Sequence, residues 1–118
     1  MAGLTTHVLD TTRGRPAGDV EIELYALAPD GGRTLLARTR TNADGRTDAP
    51  LIAAVDARPG LFELSFHVGD YFRRFGDAVA DPPFLDVVPI RFAIADREAH
   101  YHVPLVATPW SYSTYRGS

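Results

Sequence analysis

The chain has 118 residues, 45% of them hydrophobic and 23% charged, with 15 acidic against 12 basic side chains and a formal net charge of -3. That is one domain's worth, residues 1–118: enough to bury roughly two-thirds of the unfolded surface, too short for two cores and too apolar for a disordered assembly. The charge balance leaves no footprint for nucleic acid or an anionic membrane, no apolar run approaches the roughly 18 residues of a span, and Met1 to His7 lacks the cationic head and apolar core of a signal peptide, so a cytoplasmic protein is expected.

Apolar and polar residues alternate with period two along most of the sequence, broken at short intervals by turn formers, which is a strand signal. Leu4 to Asp10 reads as a first strand, ended by a turn over Thr11 to Pro16. Val20 to Leu27 places Val20, Ile22, Leu24 and Ala26 on one face, and Glu21, Glu23 and Tyr25 on the other. Pro29 to Gly32 turns the chain into a strand over Arg33 to Arg40, and Asn42-Ala43-Asp44-Gly45 forms the next turn. Leu61 to Val68 alternates again. Asp70 to Phe75 is the one stretch with helical spacing, and it allows one or two turns before Pro82 and Pro83. Asp86 to Ile94 and Tyr101 to Ala107 read as strands, with Pro89 placing the former at an edge or bulge, and Trp110 to Tyr115 is a last short strand. The sum is an all-β protein: an antiparallel β-sandwich of seven to eight strands with one short helix.

The placement of the four histidines carries the chemistry. Leu4, Thr6 and Val8 share one strand face, which leaves Thr5, His7 and Leu9 on the other. Tyr101, Val103 and Leu105 form an apolar face suited to the core, which turns His100 and His102 away from it. A lone outward histidine is ordinarily a solvated side chain, and His67 is read that way. Three at positions where the core needs nothing ask for another explanation. One alternative is a catalytic zinc held by three histidines, although no carboxylate stands out to orient them. Cysteine and lysine are both absent, which removes thiolate ligands, Cys nucleophiles and Schiff-base chemistry. The serines lie in no nucleophile elbow, and Gly31-Gly32 sits in a polar turn rather than a phosphate loop. Taken alone, Arg46 would be a solvated charge after a turn.

Three blocks of residues resemble one family. They are Leu4-Thr5-Thr6-His7-Val8-Leu9-Asp10 with Gly14 and Pro16-Ala17; Thr41-Asn42 with Asp44-Gly45-Arg46; and His100-Tyr101-His102-Val103-Pro104-Leu105, continuing to Tyr112-Ser113-Thr114-Tyr115-Arg116-Gly117-Ser118. The family is the 5-hydroxyisourate hydrolases, also called transthyretin-related or transthyretin-like proteins, and Tyr115 to Ser118 is its most specific signature. Val106-Ala107-Thr108 departs from the commoner family residues without touching a functional position.

The resemblance implies a transthyretin-like sandwich and a homotetramer in which edge strands pair and two dimers meet around a channel. It implies hydrolysis of 5-hydroxyisourate to 2-oxo-4-hydroxy-4-carboxy-5-ureidoimidazoline, with no cofactor and no metal. The functional positions carried over are His7, Arg46 and His102 as catalytic residues, and Tyr115, Arg116, Gly117 and Ser118 as substrate-binding residues. Hydrolysing a cyclic amide needs a base, an oxyanion partner and an acid. Two histidines and a permanently charged guanidinium suit those roles, the histidines sharing base and acid without a decision between them. The alternative function is a non-catalytic transthyretin-like carrier of small molecules, which has no use for His7, Arg46, His102 or the terminal tetrapeptide.

Overall fold

Ile22 and Leu24 point inward from a strand whose intervening Glu21 and Glu23 face outward, and this alternation, repeated on its neighbours, builds the first layer of the protein. The computed structural model describes residues 2–77 and 80–117. Its elements are β1 (Gly3–Thr5), β2 (Val8–Asp10), β3 (Arg15–Pro16), β4 (Glu21–Leu27), β5 (Arg33–Arg40), β6 (Gly60–His67), α1 (Val68–Arg73), β7 (Val87–Ile94), β8 (His100–His102), β9 (Leu105–Ala107) and β10 (Tyr112–Thr114). A single 3-10 turn covers Ala54–Asp56.

One sheet has the order β5-β4-β6-β7, with every neighbour antiparallel. The other has the order β10-β9-β2-β3, and the pair β1-β8 prolongs its two central strands. Leu4, Val8 and Leu105 from this layer meet Ile22, Leu24, Leu64 and Phe66 from the first, all essentially inaccessible to solvent. The expected transthyretin-like β-sandwich is therefore observed, and β7, which carries Pro89, lies at a sheet edge as expected.

Two expected strands are each broken in the middle. Leu4 to Asp10 divides into β1 and β2 at Thr6-His7, and Tyr101 to Ala107 divides into β8 and β9 at Val103-Pro104. The causes are linked, because the two halves run side by side: β1 pairs with β8 and β2 with β9, both in parallel. Pro104 has no N–H to give the ladder. The hydroxyl of Thr6 donates to the Val103 carbonyl at 2.6 Å, and the ladder resumes as Leu105 N–H donates to the His7 carbonyl at 2.9 Å. Thr6 is fully buried, since its side chain replaces a backbone donor.

The helix begins at Val68, two residues before the expected Asp70, because Val68, Tyr71 and Phe72 all reach the core. Tyr71 donates to the buried carboxylate of Asp10 at 2.8 Å, and the backbone N–H groups of Thr12 and Arg13 donate to the same group. Burial, then this carboxylate, push the Tyr71 phenol up to about 12. The end of β2 is thereby fixed to α1. No helix among the described residues is long and apolar enough to cross a membrane.

Candidate active site

His7 sits in the bend between β1 and β2, where its carbonyl is taken by Leu105 and the next residue's N–H donates to the Gly45 carbonyl at 2.8 Å. The turn that contains Gly45 is closed by Asn42, whose side-chain oxygen accepts from the backbone N–H of Asp44 and of Arg46. Gly45 has φ +75°, and a Cβ there would collide with the Val8 carbonyl oxygen and lie 3.2 Å from the His7 ring. Glycine is thus required for the turn to approach His7 closely and set Arg46 beside it, with the Arg46 side chain exposed. The Nε2 of His7 is buried and, among the described residues, has no hydrogen-bond partner in the protein.

His100 and His102 arrive on β8, turned to the same side as Thr5 on β1. The hydroxyl of Thr5 is 3.0 Å from His100 Nε2 and 2.8 Å from His102 Nδ1. The two rings lie near parallel, with centroids 6.4 Å apart. The alternation in HYH does what the spacing predicts: Tyr101 is buried and both histidines face away from the core.

Partial burial is the first cause that lowers the His102 pKa below its ordinary 6.5, followed by the positive fields of Arg46, His100 and His7, against which the Thr5 backbone works in the opposite sense. Arg46 and His7 therefore lie within electrostatic reach of His102. The three come from the N-terminal bend, the 42–46 turn and β8.

Arg116 and Gly117 of the terminal tetrapeptide close over the same strand. Gly117 N–H donates to the His102 carbonyl at 2.8 Å, and a Cβ on Gly117 would lie only 2.6 Å from His102 Cδ2. A side chain at this position would displace the ring. Arg116 donates to the His100 carbonyl at 3.3 Å, and its guanidinium stands 4.1 Å above the Tyr101 ring. Tyr115 is exposed, and Ser118 lies outside the described residues.

A separate groove lies elsewhere. It holds about 380 Å³ between β7 and the C-terminal segment, lined by Ile90, Phe92, Tyr101 and Val103, and of the catalytic candidates it touches none. The groove shares Tyr115 and Arg116 with the tetrapeptide. The histidine cluster carries the acid–base groups, whereas the groove is lined by apolar side chains with Arg91 and Arg116.

Among the described residues the one trio of metal-ligating side chains with atoms within 4.8 Å of one another is Glu21, Glu23 and His67, on the outer face of the other sheet. His67 Nε2 is 3.0 Å from Glu23, whose second oxygen receives Arg38 at 2.8 Å, while Arg40 bonds Glu21. The residue that the sequence left as a solvated histidine is thus part of a cross-strand ionic cluster. In the candidate site, the ring nitrogens of His100 and His102 that face each other are both taken up by Thr5. Thr5 escaped the sequence reading, although its place on the His7 face was the available signal.

Residues 4–117 match the HIUase/Transthyretin family. The chain belongs to that family. A 5-hydroxyisourate hydrolase of Deinococcus radiodurans is 60% identical over 116 residues, covering 98% of this chain and 96% of the relative. The solved 5-hydroxyisourate hydrolase of Klebsiella pneumoniae has TM-score 0.81 at 33% identity, with the whole of both chains covered. The transthyretin of Sparus aurata superposes with TM-score 0.86 at 28% identity, covering 99% of this chain and 97% of that one. Enzyme and transthyretin share this backbone, so the choice of function within the HIUase/Transthyretin family rests on side chains.

The electrostatics of His102 lead to a direct measurement. An NMR titration of its ring protons should give a midpoint below 6.5, and Arg46→Gln should move that midpoint upward by removing a cation. The sign for folding follows: the unfolded chain holds this proton more tightly, so the contribution of neutral His102 to stability is complete above 6.5 and declines as pH falls below it. A midpoint at or above 6.5 would contradict the convergence of charge described here.

Proposed function

We propose that the protein hydrolyses 5-hydroxyisourate to 2-oxo-4-hydroxy-4-carboxy-5-ureidoimidazoline, using His7 and His102 to activate water and transfer protons and Arg46 to hold the anion. The observation that carries this reading is the Thr5 hydroxyl held between His100 and His102, with partial burial and then the charges of Arg46, His100 and His7 lowering the His102 pKa, the direction that favours a proton-accepting imidazole. A full-length relative of the same name at 60% identity supports the substrate.

Hydrolysis at a ring carbonyl requires water to lose a proton as its oxygen bonds to carbon. The carbonyl oxygen takes up negative charge, and the leaving nitrogen gains a proton when the C–N bond breaks. Neutral His102 and the buried, unclaimed nitrogen of His7 supply acid and base. Arg46 offers a fixed positive charge and parallel N–H donors to the oxyanion, a geometry that lysine lacks. Tyr115, Arg116 and Gly117 act as the wall: Gly117 seats the His102 ring and Arg116 holds the tail to β8. Tyr115 and Ser118 are assigned to the substrate on the strength of the family signature. The chemistry described needs neither metal nor cofactor.

The carrier reading has the fold of the Sparus aurata transthyretin in its favour. It gives no task to the buried, unpartnered nitrogen of His7 or to the histidine pair on Thr5, and we place it second.

The homotetramer and the cytoplasmic, single-domain setting belong to this proposal. The edge strands β7 and β10 each have one side unpaired among the described residues, and Val87, Trp110 and Tyr112 are exposed beside them. Such edges are pairing surfaces unless something covers them, and a second copy of the same chain is the simplest cover. Light scattering at micromolar concentration should return the mass of four chains; a monomer mass would remove the tetramer from the account.

The activity is tested by following the ultraviolet spectrum of freshly made 5-hydroxyisourate with and without the protein. Decay should accelerate with enzyme, and His7→Ala or His102→Ala should each lower kcat by roughly 10² to 10⁴, the usual worth of a general acid or base. Decay at the uncatalysed rate in the presence of wild-type protein would overturn the hydrolase reading.

A further inference from the structure

Thr5 occupies a peculiar position between the two β8 histidines. Its one hydroxyl meets His100 Nε2 at 3.0 Å and His102 Nδ1 at 2.8 Å, and it has a single proton to give. With both rings neutral, the hydroxyl can accept from one and donate to the other, which places its single proton between the rings. We propose that Thr5 is a one-proton bridge that leaves one of the two facing nitrogens, His100 Nε2 and His102 Nδ1, protonated and the other bare, which puts both neutral rings in the same tautomer, and that it passes a proton between them, which makes His100 a positioning residue and proton store for His102. The proposal deepens the hydrolase reading above and, for its catalytic part, rests on it.

The productive arrangement has His102 Nδ1–H donating to Thr5 Oγ1 and Thr5 Oγ1–H donating to His100 Nε2. His102 Nε2, the nitrogen turned away from Thr5, then carries the lone pair. As water oxygen bonds the substrate carbonyl carbon, its proton passes to that Nε2. The Nδ1 proton of His102 moves to Thr5 Oγ1, and the original hydroxyl proton moves to His100 Nε2. The positive charge now rests on His100, and His102 is neutral again with its proton on Nε2. When the C–N bond breaks, Nε2 gives that proton to the leaving nitrogen while the two bridge protons return, so the residues finish as they began and one water has been added across the bond.

Two observations favour moving the charge. His102 is the ring on which Arg46 and His7 converge, together with partial burial, and a cation is disfavoured there. The groups facing the bridge are otherwise few: His7 from the N-terminal bend, Arg46 from the 42–46 turn, and Arg116, which bonds the His100 carbonyl from the terminal segment. No carboxylate bonds either β8 ring among the described residues, so Thr5 takes the part that an aspartate plays beside a catalytic histidine elsewhere. The parallel pairing of β1 with β8, which sets Thr5 opposite His102, holds this geometry through the backbone and not through a loop.

The test reads the rings directly and then the rate. Long-range nitrogen–proton NMR of the wild-type protein, above the histidine titrations, should show one of the two nitrogens facing Thr5 protonated and the other bare. Thr5→Val keeps the shape and removes the hydroxyl. It should abolish that pattern, lower kcat about 10- to 100-fold with KM changed less than about threefold, and shift the acid limb of kcat/KM; Thr5→Ser should restore all three. His100→Gln should lower kcat in the same range and add little to Thr5→Val in the double variant. Protons on both facing nitrogens of the neutral rings would overturn the bridge, as would wild-type kcat in Thr5→Val. If instead wild-type protein leaves 5-hydroxyisourate untouched while one facing nitrogen is protonated and the other bare, the hydrolase reading and the relay fall together and the bridge stands.

Discussion

The parallel pairing of the chain's two ends is the constraint from which the rest follows. Gly3, Leu4 and Thr5 lie beside His100, Tyr101 and His102, and Val8, Leu9 and Asp10 beside Leu105, Val106 and Ala107. Parallel strands so distant in sequence pair only when the intervening chain has folded into a sheet that can receive them, and here β4 to β7 form that sheet. The inner faces of the paired ends then cover the sheet with Leu4, Val8, Tyr101 and Leu105. Their outer faces carry His7, Thr5, His100 and His102. Core formation and site assembly are one event, because a one-residue slip in register would bury the histidines and expose the leucines.

Within that frame the bend at Thr6-His7 and Val103-Pro104 provides the local departure from regularity that a site needs. Pro104 interrupts the ladder and Thr6 mends it with its hydroxyl, so His7 is released from the sheet without leaving a buried carbonyl unpaired. The turn at Gly45 moves into the space beside it and brings Arg46. Gly117 does the same for His102 from the other side. A side chain on Gly45 would strike the Val8 carbonyl and crowd the His7 ring, and one on Gly117 would strike the His102 ring.

Much of this was legible in the sequence, for a physical reason. Period-two alternation assigns each strand residue to a face, and it correctly turned Tyr101 and Val103 inward and His100 and His102 outward. It could not show where a strand breaks, since Pro104 matters only once its partner strand is known, and alternation carries no sign of parallel or antiparallel pairing. The bond between His67 and Glu23 was hidden for the same reason: it depends on the register between β4 and β6, which no single strand encodes. Thr5 looked like one more polar residue on an outer face until the pairing set it between two imidazoles. The terminal tetrapeptide was named from resemblance alone, and its packing supplies the physical content for Gly117 and Arg116.

The central claim is that the histidine cluster at the paired ends, and not the apolar groove between β7 and the C-terminal segment, is where an oxidised purine binds. Urate is a stable relative of the proposed substrate, and its addition to isotope-labelled protein can be followed by NMR. The account predicts saturable shifts at the side chains of His7, Arg46 and His102 and at the backbone of Gly45 and Gly117, with Ile90 and Phe92 in the groove unmoved. Shifts confined to Ile90, Phe92 and Val103, with the histidine rings unchanged, would contradict it and favour a carrier.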